Sequence, residues 1–400
     1  MDTEATQLNE TEQRVCDLIA SRHQDLLDDL VRHVGMPTGG GNLDAIEASR
    51  ELLTRRLEAI GAETSRTPGE EKPAWLGDSE YRPDSSLSRR RAAGLPAVLI
   101  AGHLDTVHDP DGPFQKLEIQ PDGLTAIGPG CVDMKGGLVI AVAALEALAE
   151  AGVPCSWSFF LNADEETGTY HSQRALREAA QSHDFGLALE PALACGELAI
   201  ERMGSGQFMV EVTGKSAHVG RAFTDGISAV TKLGEVLVEI GKMPDPARGK
   251  ILNVGPISGG AVTNAVPDHA MARGNVRFPD EQIAAEIASD LEALQTEGDT
   301  LPRVRVFRSF NRPAKPEIPA TRHLAEQARS AAESLGQDLP FARTGGVCDG
   351  NIMQDAGLPT IDTLGVRGGG LHTPEEWIEL ASLVQRSQML AVLLIRLSQQ

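Results

Sequence analysis

Three apolar runs in the first half of the chain stop in the same way. PAVLIAG (96–102) gives way to HLD, SWSFFL (156–161) to NADEE, and FGLAL (185–189) to Glu190. Short apolar runs alternating with helical spacing read as buried strands of a largely parallel sheet covered by helices. Helices are expected over 135–150 and 171–180, strands over 157–162 and 185–189. Ligands of open α/β sheets bind outside the carboxyl ends of the strands. The place where these runs stop is therefore where chemistry is expected.

That place collects donors. His103 and Asp105 follow the first run, in GHLDTV, and Asp164, Glu165 and Glu166 follow the second, in NADEETG. Glu190 ends the third. Asp133 lies between a glycine-rich turn and a helix in GPGCVDMKGG, and His372 lies in GGGLHTPEEW. Taken singly, each has an ordinary explanation: a turn histidine, a helix N-cap, a solvated acidic turn. Adjacent carboxylates at a strand end repel one another unless a positive charge sits among them. His103, Asp133, one of the adjacent acids Glu165 and Glu166, Glu190 and His372 are nitrogen and oxygen donors suited to zinc or a related divalent ion. Five ligands, one of them a bridging carboxylate, suit a two-metal centre.

The pattern changes near residue 204. Strand, helix, strand, strand, helix and strand follow, over 207–213, 225–240, 251–257, 270–278, 279–294 and 303–308, which is the ferredoxin-like order. From about 316 the chain returns to α/β material, with a helix over 322–335, a strand over 360–364 and a last helix over 376–398. A catalytic domain (1–205 and 315–400) interrupted by a smaller α+β domain (206–314) is the simplest account. Near the N-terminus, apolar spacing predicts one helix over 12–34 and a second over 43–60, and the polar stretch 67–94 reads as a long surface loop.

Charge removes some classes of function. Thirty-six basic against 57 acidic residues give a net charge of −21, which repels nucleic acid and anionic membranes at long range. No run approaches the roughly 18 apolar residues of a membrane span. The acidic N-terminus lacks the basic and apolar regions of a signal peptide. Five scattered cysteines form no CxxC pair, as in a reducing compartment, so a cytoplasmic protein is expected. His23, His33, His108, His171, His183, His269, His323 and Cys131 are read as structural.

GHLDTV, GPGCVDMKGG, NADEETG, LEPA, GKSAHVG and GGLHTPEE, in that order, resemble the two-zinc family of aminoacylase, acetylornithine deacetylase, succinyl-diaminopimelate desuccinylase and glutamate carboxypeptidase. The resemblance implies a zinc-peptidase-like three-layer α/β catalytic domain with an inserted ferredoxin-like lid and dimerisation domain. It also implies two zinc ions per subunit, with cobalt or manganese as substitutes. Residue by residue, it makes His103, Asp133, Glu166, Glu190 and His372 the metal ligands, with Asp133 bridging. Asp105 orients His103, and Glu165 is the general base acting on a metal-bridging hydroxide. From the lid, His218 in GKSAHVG resembles a residue that reaches across a homodimer to the oxyanion. Asn264 in TNAVP resembles a polar contact beside it, and Arg277 a clamp on a substrate carboxylate. Gly345, Gly346 and Asp349 in TGGVCDGN resemble a glycine-rich loop near the site, with Cys348 where Ser or Thr is common. The resemblance also predicts a cis Asp133–Met134 bond. The implied activity is hydrolysis of an amide bond beside a free carboxylate in a small peptide, of the glutamate carboxypeptidase type. The alternatives are deacylation of an N-acyl amino acid and, outside enzymes, an inactive metal-bound binding protein.

Overall fold

A computed structural model describes residues 7–77 and 81–400. Residues 1–6 of the acidic N-terminus, and 78–80 of the stretch read as a loop, lie outside it. The central sheet has six strands in the order Glu63–Thr67, Ser85–Arg90, Ser156–Asn162, Ala97–His103, Phe185–Ala188, Thr360–Ile361. The last four run parallel, and the first two are antiparallel additions at one edge. Register decides where the site lies. Ala97 pairs with Ser156 and His103 with Asn162, while Ala101 pairs with Ala188. His103, the acidic turn after Asn162 and Glu190 therefore emerge at one edge of the sheet.

The sheet is largely parallel, as expected, but mixed, and the antiparallel part lies at the stretch read as a surface loop. Ser85–Arg90 is a strand inside it, and Ser85, Ser86 and Ser88 are buried. Buried hydroxyls need partners: Ser88 Oγ lies 2.9 Å from Thr64 Oγ1, and Arg50 Nη1 donates to Ser86 Oγ at 3.4 Å. A polar strand held by ladder and side-chain hydrogen bonds carries no apolar alternation, so periodicity does not reveal it.

Helix boundaries differ where two packing layers meet. The single helix expected over 12–34 is two, Glu10–Ser21 and His23–Val34, broken at Arg22. Val15 and Ile19 belong to one apolar cluster, Leu26, Leu30 and Val34 to another. The first helix starts at a capping box: Asn9 Oδ1 accepts from the Glu12 N–H, and Glu12 Oε2 accepts from the Asn9 N–H, both at 2.9 Å. Gly136–Glu150 is buried almost all round, as befits a helix between layers. The last helix spans Ala381–Leu397, and Trp377–Glu379 is a strand pairing with Thr125–Ile127.

The antiparallel lid-like domain has its own core, built on Phe208, Val210, Leu233 and Ile287. Its strands Gly204–Thr213, Ile251–Gly259, His269–Phe278 and Arg303–Arg312 are ordered second, third, first, fourth. The helices Ala229–Ile240 and Glu281–Glu292 complete the ferredoxin-like sequence of elements. Asp280 caps the second helix, accepting from the Ile283 N–H at 2.9 Å. Among the described residues no helix is long and apolar enough to cross a membrane.

One buried histidine couples this packing to pH. His33 faces Ser49, 3.4 Å away, and burial depresses its pKa from 6.5 to about 3. The folded chain holds it neutral while the unfolded chain protonates below pH 6.5. Its contribution is therefore complete above that pH and is lost progressively on acidification toward 3. Urea unfolding at pH 7 and pH 5 is expected to show His33→Gln losing about 2 kcal/mol less stability than the parent between the two; equal losses would contradict this.

Candidate metal centre

The predicted ligands converge. His103 Nε2 lies 3.2 Å from Asp133 Oδ1. His372 Nε2 lies 3.5 Å from Asp133 Oδ2 and 3.3 Å from Glu166 Oε2. Two donor triads result, His103–Asp133–Glu190 and Asp133–Glu166–His372, each with its donor atoms within 4.8 Å of one another. Asp133 is common to both. Glu166 and Glu190 fall in different triads.

The backbone around Asp133 is specialised. The Asp133–Met134 bond is cis, and His372 has φ +63°. Glu376, fully buried, accepts from the N–H groups of Gly130 at 2.8 Å, Val132 at 2.9 Å and Asp133 at 3.0 Å. His108, read as a structural loop residue and not a further metal ligand, holds this carboxylate with Nε2 at 2.6 Å. Gly370 is needed beside His372: its φ is +70°, and a Cβ there would lie 2.5 Å from the Glu375 carbonyl oxygen.

Asp105 does two things. Its carbonyl is 2.9 Å from His103 Nδ1. A carbonyl only accepts, so Nδ1 carries the proton and Nε2 is left as the donor to a metal. Its carboxylate, 3.5 Å from Nδ1, also accepts from the N–H groups of Glu165 at 3.3 Å and Glu166 at 3.0 Å, shaping the acidic turn. Asp164 turns inward instead, accepting from Ser172 Oγ at 2.5 Å and the His171 N–H at 2.6 Å.

Electrostatics show what the donor set favours. Burial, then repulsion from Glu165 and Asp133, pushes Glu190 well above the carboxylate range. Burial and the nearby Asp133 raise Glu166 as well, and its Oε1 is buried without a partner. Asp133 stays low: burial opposes its charge, but hydrogen bonds from His103 and His372 prevail. Burial likewise opposes a charge on His103, yet bonds to Asp105 and Asp133 hold it well above its usual value. Bonds to Asp133 and Glu166 carry His372 to about 10. Protonated imidazoles thus balance crowded carboxylates, and a cation among them would do so better. The donor set fits divalent metal.

Glu165 stands apart from both triads. Burial pushes its pKa up to about 7, against the pull of the Arg312 guanidinium, whose Nη2 is 2.8 Å from Oε1. Glu165 shares a cavity of about 430 Å³ with Asp133, Glu166, Glu190, Gly346 and His372. Arg202 lines the same cavity and pairs with Asp362 at 2.8 Å; Lys315 flanks that carboxylate at 3.2 Å. Arg312, Arg202 and Glu376 escape a sequence reading because each pairs with a residue distant in the chain, without a motif. Only the HTPEE string hinted at Glu376. Asp349 is buried in the same region, and Cys348 caps the helix Asp349–Asp355, with Sγ accepting from the Gly350 N–H at 3.3 Å. Burial drives that thiol far above its usual pKa, as it does Cys131.

The lid residues sit elsewhere. His218 is exposed, its Nδ1 accepting from the Gly220 N–H at 3.1 Å, and Asn264 is next to it through a Val219 N–H to Asn264 carbonyl bond of 3.1 Å. Among the described residues no hydrogen bond or ion pair joins either to the triads. Arg277 is placed differently. It and Arg312 flank Ser205 on opposite sides of one lid strand, and Arg277 Nη1 is buried without a partner.

The chain belongs to peptidase family M20/M25/M40, whose model matches residues 99–396. It is 28% identical over 374 residues to carboxypeptidase G2 of Pseudomonas sp. (strain RS-16), covering 92% of this chain and 88% of that one. It is 27% identical over 376 residues to succinyl-diaminopimelate desuccinylase 2 of Shewanella loihica, covering 87% and 98%. A tripeptidase from Staphylococcus aureus has the same fold, with a TM-score of 0.75 at 21% identity over 94% of this chain and 99% of that one. An M20 family metallo-carboxypeptidase from Sulfolobus solfataricus also has it, with a TM-score of 0.72 at 13% identity, covering 94% and 100%.

Sharing Asp133 has a measurable consequence. Elemental analysis after zinc loading and desalting is expected to show Asp133→Ala losing both ions, while Glu190→Ala and His372→Ala each lose one. Equal losses in all three variants would contradict the shared arrangement.

Proposed function

We propose that this chain is a dinuclear metallohydrolase that cleaves an amide bond beside a free carboxylate, as a carboxypeptidase acting on small peptides or N-acyl amino acids. One observation carries the reading: Asp133 joins two donor triads in a cavity that also holds Glu165, a carboxylate assigned to neither. A protein that only binds metal has no use for that additional buried acid. His103, Asp133 and Glu190 would hold one ion, and Asp133, Glu166 and His372 the other; zinc is the expected metal. Bound there, the pair would acidify water and polarise the scissile carbonyl.

Glu165 takes the proton from the attacking water and returns it to the leaving amine. Its pKa near 7 lets it do both near neutral pH. The unpartnered Arg277 Nη1 offers its donor to the substrate carboxylate. His218 and Asn264 would come from the lid of a second copy in a homodimer, with His218 stabilising the oxyanion. The exposed outer strand Ile251–Gly259, where Ile251 and Ile257 face solvent, supports lid-to-lid pairing. The desuccinylase relative supports N-acyl-amino-acid deacylation as the second reading.

Two experiments test this. In a screen of dipeptides and N-acyl amino acids, each with and without its free carboxylate, the zinc-loaded protein is expected to prefer the free acids. Glu165→Ala should keep both ions and lose about 10²–10⁴-fold in kcat; undiminished hydrolysis would remove the assigned base, and equal kcat/KM on acid and blocked substrates would remove the carboxylate clamp. Mixing inactive His218→Ala with inactive Glu165→Ala under conditions of subunit exchange is expected to restore activity, because one site in each mixed dimer has both residues intact. No recovery in verified heterodimers would place His218 outside the neighbouring site.

A further inference from the structure

The strand Arg303–Arg312 leaves the lid sheet and runs straight onto the catalytic turn. Its last two residues grip that turn at both ends. Asn311 Nδ2 donates to the Gly168 carbonyl, and the Asn311 carbonyl accepts from Gln173 Nε2 at 3.1 Å. Arg312, buried, aims Nη2 at Glu165 twice: 2.8 Å to Oε1 and 3.0 Å to the carbonyl oxygen. The same nitrogen donates to Thr169 Oγ1. Thr169 donates to Asp349 Oδ1 at 2.9 Å, and Asp349 Oδ2 accepts from Asn162 Nδ2 at 2.7 Å.

We propose that Arg312 is a positioning residue that fixes the aim of the Glu165 carboxylate from the lid side. One guanidinium nitrogen bound to both the main chain and the side chain of Glu165 defines the rotamers between them. Truncating a long acid's partner leaves that acid free to swing, and a misplacement of about 1 Å costs on the order of 10²-fold in rate. The anchor survives lid movement because of where it sits. The two chain crossings between domains are bonded to each other, Arg202 N–H to the Lys315 carbonyl at 2.9 Å and Lys315 N–H to the Arg202 carbonyl at 3.0 Å. Arg312 lies a few residues from that pivot, where rotation of the lid displaces it least. Burying a guanidinium is costly without pairing, and the pairing of Arg312 is spent on the turn: Nη2 bonds Glu165 and Thr169, and Nη1 faces Asp349 Oδ1 at 3.8 Å.

This inference rests on Glu165 being the base, so the test is a double-mutant cycle. Arg312→Met is made in the parent and in Glu165→Gln, both zinc-loaded, and assayed on the best substrate of the screen, with metal content and melting temperature measured alongside. In the parent background, kcat is expected to fall about 10²-fold, with KM changed by less than about threefold and both ions retained. Arg312→Lys should recover part of the loss. In Glu165→Gln, Arg312→Met should cost nothing further, because the group it positions is already disabled. Equal losses in both backgrounds, a loss through KM alone, or no loss overturns the proposal. If Arg312→Met loses metal or unfolds, the same cycle with Arg312→Lys decides by the same criteria. Full activity of Glu165→Gln itself would overturn the base assignment instead.

Discussion

Four carboxylates and two imidazoles meeting at one sheet edge is the constraint on which the rest of the structure depends. Asp133 serves both triads, so its position determines two sites at once. Much of the surrounding fold holds it there: a fully buried Glu376 collects the N–H groups of Gly130, Val132 and Asp133 itself, and His108 holds Glu376 in turn. Carboxylates packed this closely in a buried site resist ionisation together. The raised pKa values of Glu166 and Glu190 express that conflict, and divalent cations held there would resolve it.

The second tier of organisation surrounds Glu165, the proposed base. The turn 164–169 receives support from three directions: Asp105 from the neighbouring strand end, Asp164 folded back on Ser172, and Arg312 from the lid. Burial and the guanidinium act on Glu165 in opposite senses, which leaves its pKa near neutrality. A buried acid alone would stay protonated; one paired in the open would be a weak base. Under the proposed mechanism the lid would thus act on the base through a residue of its own chain, apart from any contribution of a second subunit.

Much of this was legible in the sequence, for a physical reason. The candidate metal ligands lie next to strand ends or helix starts, where apolar periodicity stops abruptly, and the order of the elements pointed to both the layered domain and the ferredoxin-like insertion. Separating Glu165 from Glu166, and predicting the cis Asp133–Met134 bond, required the family resemblance, since adjacent acids look alike in a string. What stayed hidden follows two rules. The strand Ser85–Arg90 is recruited by hydrogen bonds and not by apolar alternation, so it read as a loop. Arg312, Arg202 and Glu376 act through partners far away in the chain, and an isolated arginine or glutamate announces nothing about where it folds.

The central claim is that one carboxylate bridges two ions beside an independent base. Anomalous diffraction at the zinc edge, on crystals of the zinc-loaded protein, tests it directly. The account predicts two peaks about 3.5 Å apart, with Asp133 between them, His103 and Glu190 on one, Glu166 and His372 on the other, and Glu165 bound to neither. A single peak, or two peaks that do not share Asp133, would contradict it.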